Sequence, residues 1–259
     1  MEEKVSIVIT NYKKEKFLSS AIKSCFNQTY KNIEIIVIDD ASSGLKLIKN
    51  LEKFNAKNIK AFTTSKNYGH YACCNFAMDM ASGKYVTFLG ADDTIGKDHV
   101  KSLINFLKNK KLKAVCCTYN RVDLSGNIVG ATKRLCEASI LFERKKFINE
   151  VGYFHMVRAG ADTEYRMRAE KIYGKKRVGN TGLSTYRALY LLESLTNNKK
   201  TDRKSAGRIE YVKKFINNIK NNNVNNLIFN YKNNNLPFKL NNKNIIVKDF
   251  NINTFKRLI

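Results

Sequence analysis

The sequence predicts an α/β fold built on a mostly parallel sheet with helices on both faces, followed by a basic helical extension. Three observations predict it. Short, continuous apolar runs rich in Val and Ile recur through the first half of the chain. Between them lie segments whose apolar residues recur at helical spacing. Each of the first four runs stops at a cluster of polar residues. Runs with no polar alternation are strands covered on both sides, as in parallel sheets.

The elements follow in order. VSIVIT (Val5–Thr10) is the first strand. In KEKFLSSAIKSCFNQ, Phe17, Leu18, Ala21, Ile22, Cys25 and Phe26 mark one face of a helix. IEIIVID (Ile33–Asp39) is the second strand, and GLKLIKNLEKF a second helix. IKAFTT (Ile59–Thr64) precedes a helix from about Gly69 to Ala81. KYVTFL precedes a helix from about Lys97 to Lys108, and KAVCCTY (Lys113–Tyr119) is a fifth strand. The rhythm then changes. NRVDLSGNIVG reads as a hairpin around Ser125-Gly126-Asn127, and ASILFERKKFINEVGYF as strand, helix and loop. ADTEYRMRAEKIYG is a short helix ended by Gly174. From about Thr201, DRKSAGRIEYVKKFINNIK is a basic helix leading into an Asn/Lys-rich tail. No internal repeat is present.

Composition narrows the class. The 259 residues suffice for one large α/β domain with an appendage. No apolar run is long enough to span a bilayer, and MEEKVSIVIT lacks the features of a secretory signal, so a cytoplasmic location is expected. The six cysteines show no zinc or redox spacing and read as small buried hydrophobes. With 47 basic and 22 acidic residues, the formal charge is +25. Nucleic acid, an anionic membrane face and a phosphorylated substrate are candidate partners, against a merely solvated surface. The basic tail is the candidate for a peripheral membrane or polyanion contact. Nucleic acid is not expected as its partner.

In an open parallel sheet, ligands bind beyond the carboxyl ends of the strands. Those ends carry Thr10-Asn11-Tyr12, Asp39-Asp40-Ala41-Ser42-Ser43, Asn67-Tyr68-Gly69-His70 and Asp92-Asp93. One such cluster is ordinary turn chemistry; four in succession, two of them acidic, point to a site.

Three blocks, VSIVITNYKKEKFLSSAIKSCFNQTYKNIEIIVIDDASS, NYGHYACCNFAMDMASGKYVTFLGADD and GADTEYRMR, resemble the family 2 glycosyltransferases of the GT-A fold. The resemblance runs from about Val5 to Arg187. It implies a GT-A domain over residues 1–200, with about 1–118 as the nucleotide-sugar half and about 119–200 as the acceptor and catalytic half, leaving 201–259 as the extension. It implies a nucleotide-sugar donor, an inverting transfer to a glycan or other hydroxyl acceptor, and Mn²⁺ or Mg²⁺.

The resemblance also implies residue roles. Thr10, Tyr12 and Asp40 would line the base pocket, with Tyr12 stacking. A carboxylate at Asp40 suits a base with a ring N–H, as in uracil, thymine or guanine, and fits cytosine poorly. Asn67 joins this donor-binding set. Gly90-Ala91-Asp92-Asp93 stands where the family has its DxD motif. Asp93 would hold the metal and Asp92 the ribose, and hard carboxylate oxygens suit either ion. Gly90 stands in place of the motif's usual first Asp. Cys74 replaces a common Arg beside the diphosphate, and Lys66 or Arg187 are candidate substitutes. Asp162, in Ala161-Asp162, would be the general base, with Glu164 in reserve. Tyr153 and Phe154 are either a sugar-stacking wall or core. His70, His99 and His155 read as isolated loop or surface residues. A nucleotidyltransferase of similar sheet layout is an alternative, but TNYKKEKF lacks the glycines of a phosphate loop. A non-catalytic basic binder is a third reading.

Overall fold

In the computed structural model, the residues described are 2–42, 49, 51–54, 58–130, 132–191, 204–233 and 235–258. One nine-stranded sheet organises them, in the order β5 (Thr94–Ile95), β8 (Val178–Leu189), β6 (Ala114–Val122), β7 (Arg134–Glu143), β4 (Tyr85–Gly90), β1 (Val5–Asn11), β2 (Ile33–Asp40), β3 (Ile59–Thr64), β9 (Phe255–Arg257). Its parallel centre comprises β1 (Val5–Asn11), β2 (Ile33–Asp40), β3 (Ile59–Thr64) and β4 (Tyr85–Gly90). Every residue of β2 is buried, as expected of an apolar run with helices on both faces. These four strands lie where the apolar runs predict them.

Helix α1 (Glu15–Phe26) buries Leu18, Ala21, Ile22 and Cys25 on one side of the sheet. Helix α2 (His70–Met80) packs on the other side, and α3 (His99–Asn109) returns to the face of α1. The predicted helix at GLKLIKNLEKF falls largely outside the described residues.

The second half departs from a simple parallel continuation. Strand β6 (Ala114–Val122) does not pair with β4. Strand β7 (Arg134–Glu143) lies between them, antiparallel to both. The predicted hairpin is a tight turn in which Asp123 accepts from the N–H groups of Ser125 and Asn127. Helices α4 (Arg144–Val151) and α5 (Ala161–Tyr173) follow, and Gly174 ends α5 at φ 85°. Strands β5 (Thr94–Ile95) and β8 (Val178–Leu189) were not legible in the sequence. The latter is mostly polar and only partly buried, and it carries Gly179 and Gly182.

The chain after residue 204 is built into the same domain. Helix α6 (Ala206–Asn221) packs on α5 and buries Tyr211, Phe215 and Ile219 in the core shared by β4, β7 and α5. Tyr231 and Phe229 pack with Tyr68 and Met156. Gly152, at φ 88°, makes this closure possible, because a Cβ there would lie 2.3 Å from the Phe229 carbonyl oxygen. Finally β9 (Phe255–Arg257) adds antiparallel to β3. The expected boundary near residue 200 lies outside the described residues. Among the described residues no helix is long and apolar enough to cross a membrane. All six cysteines are free and buried, as their spacing suggests.

Candidate active site

A cleft of about 570 Å³ opens at the carboxyl ends of the parallel strands, a size typical of small-molecule sites. Thr10, Tyr12, Asp40, Asn67, Asp92, Asp93 and Asp162 all line it. They come from five separate stretches of chain, and the parallel register is what brings the first six residues together.

The base side is ordered by Asp40. Its carboxylate accepts from the backbone N–H groups of Tyr68 and Gly69, each at 2.7 Å, and from Asn67 Nδ2 at 2.8 Å. This pins the turn that starts α2. Burial pushes the Asp40 carboxyl above its usual range, against the opposing pull of those donors and of Arg158. Asp39 serves structure instead: it accepts from Asn11, Thr63 and the Ser42 N–H. Lys13 and Ala41 hold φ of 54° and 59° without being glycine. A hydrogen bond from the Lys13 N–H to Ser42 Oγ ties the two loops at 2.8 Å. Tyr12 is 44% exposed, with Lys13 Nζ 5.2 Å from its ring centre.

The acidic wall is built by β4 and β8. Tyr186 Oη donates to Asp93 Oδ2 at 2.6 Å, and the Leu189 N–H to Oδ1 at 2.9 Å. Burial and the neighbouring Asp92 carboxylate push the Asp93 carboxyl up to about 7. Lys14 Nζ lies 3.7 Å from Asp92. Gly90 leaves room for this pair: a Cβ there would lie 2.9 Å from Asp93 Oδ2 and 3.2 Å from Asp92 Oδ1. The two acids therefore occupy the space a side chain at position 90 would need. Among the described residues no group of three or more His, Cys, Asp or Glu converges as a metal cage. The two carboxylates remain, which is the number Mg²⁺ commonly takes when substrate phosphates and water complete its shell. Their mutual repulsion is the condition a cation relieves, so the residues fit a divalent ion brought in with a diphosphate.

Asp162, also in the lining, sits in the first turn of α5, where the helix dipole favours an acid. Tyr71 Oη donates to Asp162 Oδ1 at 2.9 Å and accepts the Gly160 N–H at 3.1 Å. Tyr71 thus fixes both the carboxylate and the glycine turn before it. No motif singled it out, because an aromatic beside an apolar helix face reads as core.

Several expectations are corrected. Glu164 cannot serve as the reserve base: it is buried and paired with Arg168 through both oxygens, each at 2.8 Å. Phe154 belongs to the core, and Tyr153 donates to Asp79 outside the cleft, so neither forms a sugar wall. Lys66 pairs with Asp249, and neither it nor Arg187 lines the cleft. The cationic lining comes instead from Lys13, Lys14, Arg121, Arg158 and Arg208. Arg158 donates to the Asn67 backbone carbonyl at 3.0 Å and to its side chain. His99 and His155 are buried rather than on the surface: His99 is bonded to Thr185 and Ser139, and His155 to Tyr211.

His70 lines the cleft, with Nδ1 2.7 Å from Thr10 Oγ1 and Nε2 3.6 Å from Cys74 Sγ. Burial pulls its imidazole below the usual range while Asp162 and Asp92 push it back up. Its place one residue after Gly69, at the start of a helix aimed into the site, was the available signal.

With this geometry in view, the sequence profile of glycosyl transferase family 2 matches residues 6–171. The chain belongs to this family. It is 35% identical over 142 residues to an uncharacterized glycosyltransferase of Haemophilus influenzae, covering 53% of this chain and 56% of that one. It is 32% identical over 126 residues to the Escherichia coli UDP-Glc:alpha-D-GlcNAc-diphosphoundecaprenol beta-1,3-glucosyltransferase WfgD, covering 49% of each. Among solved structures, S. aureus TarS 1-349 in complex with UDP-GlcNAc superposes with a TM-score of 0.60 at 18% identity, over 83% of this chain and 72% of that one. That likeness establishes the GT-A-type α/β fold. The chain spans about half the length of the relatives it matches in sequence.

Proposed function

We propose that this chain transfers a sugar from a UDP-linked donor to a hydroxyl of a glycan or similar acceptor, with inversion at the anomeric carbon. The observation that carries the reading is the gathering of the Asp92-Asp93 pair and Asp162 in one cleft that also holds Asp40 and Tyr12. Family membership gives the nucleotidyltransferase and simple-binder alternatives no support. The UDP-linked donors in the names of WfgD and of the TarS complex favour uridine.

In this reading Tyr12 stacks on the base and Asp40 accepts its ring N–H. Asp93 would hold Mn²⁺ or Mg²⁺, and Asp92 would accept from the ribose. The ion's contribution is to neutralise charge on the departing diphosphate. Lys13, Lys14 and Arg158 add positive charge to the same cleft. Asp162 accepts the proton of the acceptor hydroxyl as its oxygen forms the new bond to the anomeric carbon. Tyr71 holds Asp162 in the rotamer that faces the cleft.

Asp162→Asn tests the assignment. General-base catalysis is worth about 10²–10⁴ in rate. Transfer should fall by that order while UDP affinity stays near wild type. Asn keeps the shape and can still accept from Tyr71, and losing one charge in the first helical turn costs about 0.3–1 kcal/mol, so the melting temperature should fall only slightly. An unchanged transfer rate, or a product that keeps the donor's anomeric configuration, would refute the mechanism.

A further inference from the structure

A second cavity, of about 350 Å³, lies at the other end of the sheet. It is bounded by the end of α3, the start of β6, the end of β7 and the turn before β8. Five basic side chains line it: Lys108, Lys111, Lys113, Lys146 and Arg177. Among its described lining residues Glu143 is the single acid, and none of the five cations forms an ion pair. Phe147 and Tyr173 give it an apolar floor, with Lys113 Nζ 5.3 Å from the Tyr173 ring centre.

The cations arrive from three places: the α3–β6 connection, helix α4 and the turn after α5. Lysines after the end of α3 are favoured there by the helix dipole. That effect explains Lys108 and Lys111, but not why Lys146 and Arg177 converge on the same spot. Their convergence has a cost: burial, then the neighbouring Lys146 and Arg177 charges, pull the Lys113 ammonium below its usual range. Arg177 is held in place by a 2.7 Å bond from Nη1 to the Lys111 carbonyl. Five cations around one cavity, with Glu143 in the lining and Glu150 acting on Lys113 as the acids beside them, leave an excess of positive charge arranged for an anion.

We propose that this cavity binds a multiply charged phosphate, carried by a soluble phosphorylated compound or by an anionic lipid headgroup. The site is separate from the donor cleft. Lys113 and the cleft-lining Arg121 are eight residues apart on one extended segment, about 26 Å at about 3.3 Å per residue. It is also separate from the basic tail, so the protein's excess positive charge has a structured focus elsewhere. The inference does not depend on the donor, base or metal assignments.

The test titrates pyrophosphate into protein already saturated with UDP, so that the cleft is occupied, at about 0.15 M salt to screen diffuse attraction. In parallel, vesicles of phosphatidylcholine with phosphatidic acid are compared with phosphatidylcholine alone. The diagnostic variant is Lys111→Gln/Lys146→Gln, two exposed positions whose substitution keeps the side-chain stems. The control is Lys213→Gln/Lys214→Gln on α6, which removes the same charge elsewhere. We expect the cavity variant to weaken binding about tenfold or more and the control to leave it near wild type, with UDP affinity unchanged in both. Pyrophosphate binding with that pattern identifies a soluble phosphate, and vesicle binding with that pattern a headgroup. If wild type binds neither probe, if the cavity variant binds as well as wild type, or if the control loses as much, the site does not exist.

Discussion

Replacing Glu34 by Gln should cost about 3 kcal/mol of stability and remove this carboxylate's share of the acid sensitivity of the fold. Glu34 lies buried in β2, near the amino ends of the parallel strands. Its carboxylate accepts from Ser6 Oγ at 2.6 Å, Ser82 N at 2.6 Å, Ser82 Oγ at 2.8 Å and Gly83 N at 3.0 Å, with Lys60 Nζ at 3.1 Å. Burial pushes the carboxyl up, but these donors outweigh it and hold it at about 2, against an ordinary 4.5. At about 1.36 kcal/mol per pH unit, the difference is about 3 kcal/mol. Because the folded value is the depressed one, this stability is fully present above pH 4.5 and is lost as pH falls through 2. Gln keeps the shape but turns an amide toward groups that are themselves donors. Urea unfolding followed by circular dichroism, at pH 7 and at steps down to the acid limit, reads the effect. The wild-type midpoint should fall steeply over that window, and the Gln variant should start lower and fall less. The position is four residues before Thr10 on the paired strands, about 13 Å away, so UDP affinity of the folded variant should be unchanged. A variant as stable as wild type at pH 7, with the same acid profile, would refute the assignment.

Four further outcomes follow from the site and the fold. Asp93→Asn should weaken Mn²⁺-dependent UDP binding with little change in melting temperature, and indifference of UDP binding to both EDTA and the substitution would remove the metal from this site. Calorimetry should find UDP bound more tightly than CDP, and equal affinity would take Asp40 out of base recognition. Tyr71→Phe should slow transfer and shift its pH profile while leaving UDP affinity intact. It should also cost about 1–3 kcal/mol of stability, because the Gly160 N–H loses its buried partner. Truncation at residue 200 should give unstable or insoluble protein, since it uncovers core contacts of Tyr211, Phe215 and Tyr231; a truncated chain that unfolds at the wild-type temperature would show that the last segment is dispensable.

Local pattern alone determined the parallel centre of this protein and the clustering of its site. Uninterrupted Val- and Ile-rich runs can be buried only in a sheet covered on both faces, and such a sheet delivers its strand ends to one edge. That is why Thr10, Asp40, Asn67 and Asp92-Asp93 are legible as one site in the sequence. Asp162 was legible only through its motif, since it reaches the cleft from a helix on the far side of β7. Tertiary structure decided the rest. Strand β8 is polar and partly exposed, so periodicity does not reveal it, yet its Tyr186 hydroxyl and Leu189 N–H hold Asp93. Glu164 looks like a spare base until Arg168 is seen to claim both its oxygens, and Arg158 joins the site only because the turn at Asn67 closes on it. The basic tail has the composition of a solvated appendage. Its scattered Tyr, Phe and Ile residues find partners only once the domain is folded, because the surface they cover is assembled from strands and helices distant in the chain.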